Sequence, residues 1–241
     1  MRLSLEILIE KERIHKDKNR MFTSLIKYSL EQYDKNFYES QYEKEPNKVK
    51  SFTFSIYMRN CVFEKEQIFI PDKKIILNFS TNSIEDSIYF YNSFLGQKGK
   101  SYEIKENTMT INKINFLKER PIIDYVYEYK TMSPIVVSDH SGSNHETWYY
   151  SLNEEKGKER FIENLKYQLI EEFSENRILD IEEVKFQVLR NKEVKVKHYG
   201  IEILSNICTL KIQAKPYILE FLYKSGIGSR RAQGFGMVDL V

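Results

Sequence analysis

The opening strand of the chain, residues 2–9, reads RLSLEILI and begins the pattern that decides the fold. Its apolar side chains fall on alternate residues: Leu3, Leu5, Ile7 and Ile9. This alternation predicts a β-strand with one face in a core. Residues 21–33 then carry apolar side chains at helical spacing, and residues 52–56 and 75–79 alternate again. We therefore expect a helix followed by two more strands.

A second helix follows the third strand. Ser83, with Asp86 three residues later, is typical of a helix start. We expect its buried apolar face to consist of Ile84, Ile88, Tyr91, Phe94 and Leu95. Residues 109–116 read as a fourth strand with an irregularity in the middle. The predicted order is β-α-β-β-α-β.

The second half of the chain repeats this order. A strand is predicted from residue 126, a strong amphipathic helix over 161–173, and further strands over 186–188 and 194–214. A short helix starts at Pro216, a favoured first-turn residue, and a last strand closes the chain. The fold class is therefore α+β, with tandem ferredoxin-like (RRM-like) domains and antiparallel sheets. We expect the domains to span residues 1–120 and 121–241.

The composition fits a globular protein with 41% hydrophobic and 30% charged residues. Cys61 and Cys208 have no useful spacing for a disulfide framework or a metal site. Met1 to Glu6 place charges where a signal peptide needs an apolar core, and no apolar run approaches the length of a membrane span. These features predict a cytoplasmic protein that is not bound to a membrane.

The charge is distributed unevenly along the chain. Residues 184–238 contain ten Lys or Arg and three acids, so this stretch carries +7 and the remainder carries −5. A basic C-terminal quarter on a mildly acidic protein is typical of phosphate binding. Nucleic acid is therefore the expected partner.

A glycine-rich loop near the C-terminus is the most distinctive segment. Residues 226–236 read GIGSRRAQGFG and hold four of the nine glycines. Glycines permit positive φ and close backbone approach, and exposed amides in such a loop form a concave anion site. Arg230 and Arg231 are expected at its tip, where guanidinium groups can bind phosphates in a bidentate manner.

This loop, which follows a short helix and leads into a final strand, resembles the C-terminal signature of the CRISPR-associated endoribonucleases that process precursor crRNA. These enzymes belong to the RAMP superfamily. Three other segments agree in order: Ser51–Ser55, Ser133–Ile135 and Asn164–Tyr167. The resemblance spans the whole chain and implies CRISPR repeat RNA as the ligand. The RNA-binding residues that it implies are Gly226, Gly228, Ser229, Arg230, Arg231, Gly234, Phe235 and Gly236.

The resemblance also implies a metal-independent reaction with no cofactor. In that family the ribose 2′-hydroxyl attacks the adjacent phosphate and leaves a 2′,3′-cyclic phosphate. Many members place a His in or after the first helix, a Tyr within it and a Lys before the second strand. Tyr28 and Lys50 match the last two positions, but no histidine lies between Lys16 and Asp139. Tyr38 or Tyr42 would take the place of the imidazole.

Three chemical states stay open from the sequence. In the first, the protein uses His15, which is the histidine in the loop before the first helix. In the second, Tyr and Lys orient the RNA and stabilise the reacting phosphate without a conventional base. In the third, the protein only binds RNA. The leading hypothesis is a nuclease, and the alternative is a non-catalytic repeat-binding protein or effector-complex subunit. A homodimer and other effector subunits are further expected partners. An ordinary RNA-recognition-motif protein is a third choice, from the likeness of residues 233–240 to an RNP octapeptide. His140 and His145 lie in a polar loop that we expect to be an exposed loop with no metal.

Overall fold

A computed structural model describes residues 1–44, 49–139 and 147–241. Within these ranges the chain forms two compact units. The first unit contains Met1–Glu119, Lys197–Ile201 and Ala232–Gly234, and all other described residues belong to the second. The expected domain boundary at residue 120 stays a prediction. A division at that residue would assign Lys197–Ile201 and Ala232–Gly234 to the second domain, whereas they belong to the first unit.

The first unit contains three helices and eight strands in the described part of the chain. In chain order they are β1 (Arg2–Ile9), β2 (Arg13–His15), α1 (Lys18–Tyr33), α2 (Lys35–Glu39), β3 (Phe52–Tyr57), β4 (Val62–Phe63), β5 (Gln67–Phe69), β6 (Lys74–Thr81), α3 (Ile84–Gln97), β7 (Ser101–Ile104) and β8 (Asn107–Phe116). One π-helical turn, Ser40–Lys44, follows α2. The short strands β2, β5 and β4 make a small sheet of their own that periodicity did not predict.

The main sheet of the first unit has the strand order β3-β6-β1-β8-β7. Its first four strands with α1 and α3 form the predicted β-α-β-β-α-β arrangement, which is confirmed. All described pairings of β1 are antiparallel, and its register with β8 shifts between Glu6 and Ile7. This shift is the irregularity expected in the fourth strand. The core between sheet and helices includes Leu5, Phe22, Leu25, Phe54, Leu77, Phe79 and Phe90.

The buried face of α3 differs from the predicted one. Ser83 caps the helix, as expected, and its hydroxyl accepts a hydrogen bond from the Asp86 amide at 3.0 Å. The residues that face the core are Asp86, Phe90, Ser93, Phe94 and Gln97. Ile84, Ile88 and Leu95 are exposed instead. The prediction of their burial was wrong because two aromatic rings, Phe90 and Phe94, fill the core and turn the aliphatic stripe outward.

Two segments from the C-terminal half complete the first unit beside the start of α1. The Tyr199 amide donates to Asp17 Oδ2 at 3.0 Å. The Asn19 side-chain amide donates to the carbonyls of Gln233 and Gly234 at 3.0 and 3.1 Å. Because Asn19 is only 3% exposed, these carbonyls satisfy a donor that water does not reach.

The second unit repeats the topology of the first. Its described elements are β9 (Val126–Thr131), β10 (Ser138–Asp139), β11 (Trp148–Tyr149), α4 (Glu155–Phe173), α5 (Ile178–Glu182), β12 (Lys185–His198), β13 (Ile201–Gln213), α6 (Pro216–Ser225) and β14 (Val238–Leu240), with 3₁₀ turns at Glu175–Arg177 and Arg231–Gln233. The main sheet has the order β12-β13-β9-β14, the same ferredoxin-like order as in the first unit. Its core includes Tyr129, Phe161, Leu165, Leu169, Leu210 and Leu219.

The long pair β12 and β13 was predicted as shorter strands. A two-residue turn at Tyr199 and Gly200 joins them, with φ of 49° and 83°. Positive φ at both central residues is typical of the tight hairpin turn whose twist matches the flanking strands. β13 runs without a break from Ile201 to Gln213. In the described part of the chain, every helix is too short or too polar to cross a bilayer.

Candidate functional site

The segment after α1 holds two of the predicted catalytic tyrosines. Asp34 follows α1 and accepts a hydrogen bond from the Phe37 amide at 2.8 Å, which starts α2. The chain then continues into the π-helical turn, so Tyr38 and Tyr42 lie one turn apart with ring centres 5.3 Å apart. The segment thus forms two short helical turns, α2 and the π-helical turn.

Two ammonium groups flank the Tyr42 ring. Lys27 Nζ lies 4.3 Å from the ring centre, and Lys50 Nζ lies 5.7 Å from it. Both distances are within the range of cation–π attraction. Lys27, Tyr38, Tyr42 and Lys50 are called the Tyr42 cluster below. Lys27 was missed by the sequence reasoning, although its place beside Tyr28 on a polar helix face was visible.

The electrostatics of the Tyr42 cluster favour proton donors. The Tyr42 hydroxyl is buried and has no hydrogen-bond partner among the described residues. Burial raises the pKa of Tyr42 far above its usual range, and Tyr38 and Asp86 add to this effect. Burial also raises the pKa of Tyr38 and lowers the pKa of Lys27. Both phenols therefore keep their protons at neutral pH and can donate hydrogen bonds.

Lys50 is held next to a polar contact between β3 and α3. Ser51, its neighbour, donates a hydrogen bond from its hydroxyl to the Asp86 carboxylate. This contact fixes the backbone immediately before β3, where Phe52 and Phe54 enter the core. The ammonium of Lys50 is thus positioned by the start of a buried strand.

Tyr28 lies in a different group of side chains. Its ring centre is 4.7 Å from that of Tyr102 on β7. The Tyr102 hydroxyl in turn shares a 2.6 Å hydrogen bond with Ser24 Oγ. No described contact joins Tyr28 to the Tyr42 cluster, so the structure does not bring these predicted residues together.

His15 is also separate from the Tyr42 cluster. It ends β2 and its Nδ1 accepts a hydrogen bond from the Asp17 amide at 3.0 Å. The 16-residue helix α1 lies between His15 and Tyr38 in the chain, and such a helix is about 24 Å long. His15 is therefore placed at one end of α1, and the tyrosines follow the other end.

The glycine-rich loop is shaped by close backbone contacts within the second unit. Gly236 has φ of 70°, and a Cβ at this position would overlap the carbonyl oxygen of Ile227. Gly228 has φ of 87°, and its Cβ would lie 2.8 Å from the carbonyl oxygen of Val136. These glycines are required because two backbone segments approach more closely than any side chain permits.

Five amides of the loop donate to protein acceptors. The amides of Ile227, Ser229 and Gly236 donate to backbone carbonyls at 2.8 to 2.9 Å. The Gly226 amide donates to Leu222, and the Gly228 amide donates to the Gln168 side chain. The expectation of a concavity of exposed amides does not hold for these five, because they close the loop onto its own unit.

The two arginines of the loop differ in their surroundings. Arg231 is 6% exposed and donates to the Ser225 carbonyl at 3.2 Å, and burial lowers its pKa to about 10. Arg230 is half-buried with φ of 59° and donates to the Tyr149 hydroxyl at 2.8 Å. Only Arg230 has the placement expected for phosphate binding. Arg231 instead ties the loop to the end of α6.

Phe235 and Gly234 are also buried. Phe235 is fully buried in a small cluster with Val136 and Ile203. It therefore cannot stack on a base in this conformation, contrary to the expectation for an RNA-contacting residue. Within the first unit, a Cβ on Gly234 would lie 2.6 Å from the Phe54 ring.

Ser229 belongs to a polar group that the sequence did not indicate. Its hydroxyl accepts from Ser138 Oγ at 2.7 Å and donates to Asn164 Oδ1 at 3.2 Å. Asn164 also donates to the Ser138 carbonyl at 3.0 Å. These three residues come from a loop, a strand and a helix of the second unit and form a half-buried polar surface beside Arg230.

Some lysines of the basic C-terminal quarter lie in ion pairs, and others are exposed on the surface. Lys215 and Lys224 lie in ion pairs with acids of the second unit, and Lys197 pairs with Glu66 at 2.7 Å in the first. Lys185, Arg190 and Lys192 are exposed on the edge strand β12. Among the described residues no group of three or more His, Cys, Asp or Glu side chains could hold a metal ion. His140 and His145 lie outside the described residues.

Comparison with known proteins gives one family match. Residues 117–240 match the family model described as "CRISPR associated protein Cas6, C-terminal". No curated protein matches the chain by sequence.

Solved structures share the fold over the full chain. A Cas6-related protein from Pyrococcus furiosus is 19% identical, with 100% of this chain and 98% of that chain covered and a TM-score of 0.84. A RAMP protein described as binding different RNA substrates is 18% identical, with coverage of 100% and 99% and a TM-score of 0.83. A structure described as CRISPR associated protein Cas6 is 24% identical, with coverage of 100% and 99% and a TM-score of 0.75. At these identities the likeness establishes the tandem ferredoxin-like fold.

Proposed function

Because the chain belongs to the Cas6 family of CRISPR-associated proteins, we propose that it binds CRISPR repeat RNA and cuts precursor crRNA within the repeat. The observation that carries the proposal is the Tyr42 cluster. Two ammonium groups and a buried, proton-bearing phenol meet in the segment where the family places its catalytic residues. Such groups suit a developing phosphorane, which needs positive charge and hydrogen-bond donors.

The proposed reaction is metal-independent transesterification. The ribose 2′-oxygen gives its proton to solvent water and forms a bond to the adjacent phosphorus, and the bond from phosphorus to the 5′-oxygen breaks. The products are a 2′,3′-cyclic phosphate and a 5′-hydroxyl, whose proton comes from solvent water. The Lys27 and Lys50 ammonium groups offset the extra negative charge. The Tyr42 hydroxyl donates to a phosphate oxygen or to the leaving group once RNA binding has displaced the groups that bury it.

This mechanism is the second of the three chemical states that the sequence left open. It uses Tyr and Lys side chains to orient the RNA and to stabilise the charge on the reacting phosphate. No imidazole from the described residues lies in the Tyr42 cluster. The placement of His15 at the other end of α1 supports this choice. Tyr28, which lies beside Tyr102 and has no described contact with the Tyr42 cluster, is proposed as a residue that contacts the RNA without taking part in proton transfer.

The RNA-binding residues are proposed to be fewer than the loop sequence suggested. Arg230 and Ser229 carry the accessible polar groups of the loop, and Lys185, Arg190 and Lys192 on β12 extend the positive surface of the second unit. Gly226, Gly228, Gly234 and Gly236 keep the loop in shape, together with Arg231 and Phe235. The ligand is the host's repeat RNA or its precursor transcript.

The test uses the purified protein and its host's repeat RNA in EDTA. One RNA series carries a single 2′-deoxy substitution at each position in turn. A cut at one site that one 2′-deoxy substitution abolishes is the expected result. Lys27→Met and Lys50→Met should each slow the cut at least about tenfold. Lys35→Met is the matched control, since Lys35 is an exposed lysine on α2 that pairs with Glu39.

The second candidate is a non-catalytic repeat-binding protein or effector-complex subunit. The absence of an imidazole from the Tyr42 cluster, among the described residues, favours it. This reading predicts a native-gel shift with RNA that stays whole over long incubation in EDTA and in Mg²⁺. Binding without cleavage would overturn the nuclease proposal, and neither binding nor cleavage would overturn both.

A further inference from the structure

A buried histidine lies between two acceptor groups beside the start of α1. His198, the last residue of β12, is 1% exposed. Its Nδ1 atom lies 3.5 Å from Asp17 Oδ1, and its Nε2 atom lies 3.0 Å from the side-chain oxygen Oε1 of Gln233. Asp17 is 3% exposed, so the contact between ring and carboxylate is shielded from solvent. All three residues belong to the first unit.

The two contacts determine the protonation state of the ring. A neutral imidazole donates from one nitrogen only, whereas the imidazolium donates from both. With an acceptor oxygen opposite each nitrogen, a neutral ring would turn a lone pair toward an oxygen. Burial disfavours a charged ring, but the Asp17 carboxylate opposes this effect, because a nearby opposite charge favours the charged form. The geometry therefore favours a doubly protonated His198.

Other charged or titratable side chains surround this pair. They come from α1, from β12 and the turn after it, and from the residue before β5, and they are Lys18, Arg20, Lys197, Tyr199 and Glu66. Lys197 and Glu66 pair with each other at 2.7 Å. Lys18 opposes a charge on His198, but burial lowers the pKa of its ammonium to about 8. Among the described residues, Asp17 is therefore the carboxylate that stabilises the imidazolium.

The imidazolium connects Asp17 to the glycine-rich loop. Gln233 lies in the 3₁₀ turn of this loop, and its backbone carbonyl accepts from Asn19 at 3.0 Å. When the ring loses one proton, the charged Asp17 oxygen keeps the proton on Nδ1, because a carboxylate is a stronger acceptor than an amide oxygen. Nε2 is then left with a lone pair that faces Gln233 Oε1. The contact between ring and loop therefore depends on the second proton.

We propose that protonated His198 is a latch that holds Ala232–Gly234 of the glycine-rich loop against the start of α1, and that loss of its second proton in alkaline solution loosens this segment. His198 is a positioning residue and exchanges no proton with RNA. Arg230, the loop residue proposed to bind phosphate, comes two residues before Ala232, so a loose segment should also weaken RNA binding. This last consequence rests on the proposed function, whereas the latch itself does not.

The first test is the protonation state of His198, measured by ¹⁵N NMR of the RNA-free protein at pH 7.5. Two protonated ring nitrogens are expected, although an exposed imidazole, which titrates near pH 6.5, is mostly neutral there. His15 is the internal control, because its Nδ1 accepts a hydrogen bond from the Asp17 amide and therefore carries a lone pair. Asp17→Asn should make His198 neutral, and the double variant Asp17→Asn/Gln233→Glu, which moves the carboxylate to Nε2, should restore both protons.

The second test follows the loop segment and the ring in one pH titration. In the wild type, the ¹³C signals of Gly234 and of the Asn19 side-chain amide should shift with the same midpoint as the His198 ring, since Asn19 donates to Gly234. In Asp17→Asn the new amide can donate to Nδ1, so Nε2 keeps its proton and these signals should not shift above pH 7. Lys18→Met is the control, because it removes the other nearby titration and should leave loop and ring with a shared midpoint.

The third test is filter binding of the host's repeat RNA over the same pH range. Wild-type affinity should fall at least about fivefold above the midpoint of the His198 titration, and release of one proton limits the fall to about tenfold per pH unit. Asp17→Asn should stay within about twofold of its own affinity at pH 7. A purely structural role of Asp17 would instead give a constant ratio between the two proteins.

Two results would overturn the latch. One is a wild-type His198 with a bare ring nitrogen at pH 7.5, as it would have if the Gln233 amide were turned to donate to it. The other is a loop segment whose signals do not follow the His198 ring. Equal pH profiles of RNA affinity for wild type and Asp17→Asn would overturn the link to RNA binding. A wild type that binds no RNA would overturn the proposed function and this link together, while the NMR measurements would still decide the latch.

Discussion

Lys27 Nζ lies 4.3 Å from the centre of the Tyr42 ring, and the hydroxyl on that ring is buried without a partner among the described residues. A buried hydroxyl that makes no hydrogen bond costs stability. Sites that keep such a cost are often sites where the group acts on a ligand. The missing hydrogen bond lowers the stability of the protein, and the same hydroxyl is the proposed donor in the reaction. A change at Tyr42 can therefore be tested by measuring both stability and RNA cleavage.

Tyr42→Phe should slow RNA cleavage and stabilise the protein at the same time. The ring and its contact with Lys27 remain, but the donor to the phosphate is lost, and we expect cleavage to slow about 100-fold. Removal of the unsatisfied hydroxyl should raise the free energy of unfolding by about 1 kcal/mol. Single-turnover cleavage and urea denaturation measure the two effects.

Tyr33→Phe is the matched control for this change. Tyr33 is also a tyrosine of the α1 region, but its hydroxyl accepts a hydrogen bond from Asn92 at 3.1 Å and its side chain is 46% exposed. Cleavage should stay within about twofold of the wild type, well short of the effect of losing a catalytic donor. If both variants lose activity equally, the Tyr42 hydroxyl has no special part in the reaction.

Lys18 should make stability depend on pH in the mildly alkaline range. Burial lowers the pKa of Lys18 to about 8, despite the opposing effect of Asp17. Between this pKa and the unfolded value of 10.5 the unfolded chain binds more protons, so stability rises with pH. Lys18→Met should remove this rise and be more stable than the wild type below pH 8, by on the order of 2 kcal/mol. Urea unfolding at a series of pH values measures the difference, and parallel curves for the two proteins would contradict it.

Gly236→Ala should destabilise the protein strongly. The new Cβ would overlap the Ile227 carbonyl oxygen, and the positive φ adds strain, so we expect a loss of about 3 kcal/mol or more. Gly96→Ala is the contrasting control, because a Cβ at this helical position meets nothing within 4 Å. It should be neutral or stabilising by up to about 1 kcal/mol. Similar effects of the two changes would contradict the close-packing explanation of the loop.

The two adjacent arginines of the loop should respond differently to substitution. Arg230→Met should weaken binding to RNA of any sequence and reduce the slope of log binding constant against log salt concentration by about one. The free energy of unfolding should change little. Arg231→Met should instead lower the free energy of unfolding by about 1–3 kcal/mol, because the Ser225 carbonyl loses its buried donor. Filter binding at several salt concentrations and urea titrations separate these outcomes. An equal loss of RNA affinity in both variants would contradict the assignment.

The sequence predicted the fold well where burial dictates the period of the side chains. Alternation in β1 and helical spacing in α1 are direct consequences of one buried face, so the order β-α-β-β-α-β was readable. On α3 the same reasoning placed Phe94 correctly but was wrong for Ile84, Ile88 and Leu95, which are exposed. Both faces of this helix carry apolar residues, and only the packing of Phe90 against Phe52 and Phe79 decides which one is buried.

The candidate site was less predictable, since it depends on contacts between residues far apart in the chain. A lysine on a helix, such as Lys27, has no sequence feature that marks contact with a ring fifteen residues later. Arg230 and Arg231 are neighbours with the same chemistry, yet the path of the loop buries one and leaves the other accessible. The predicted roles of Tyr38 and Lys50 stay predictions, although the structure brings both into the Tyr42 cluster.

The hydrogen bonds from Asn19 to the carbonyls of Gln233 and Gly234 have a consequence for biosynthesis. The first unit includes Ala232–Gly234, and Gln233 follows Asn19 by 214 residues. During translation, Asn19 lacks these acceptors until residues 233 and 234 have been made. The N-terminal half therefore cannot reach its final packing before then, and a nascent chain that stalls earlier leaves this donor exposed to solvent or to other proteins.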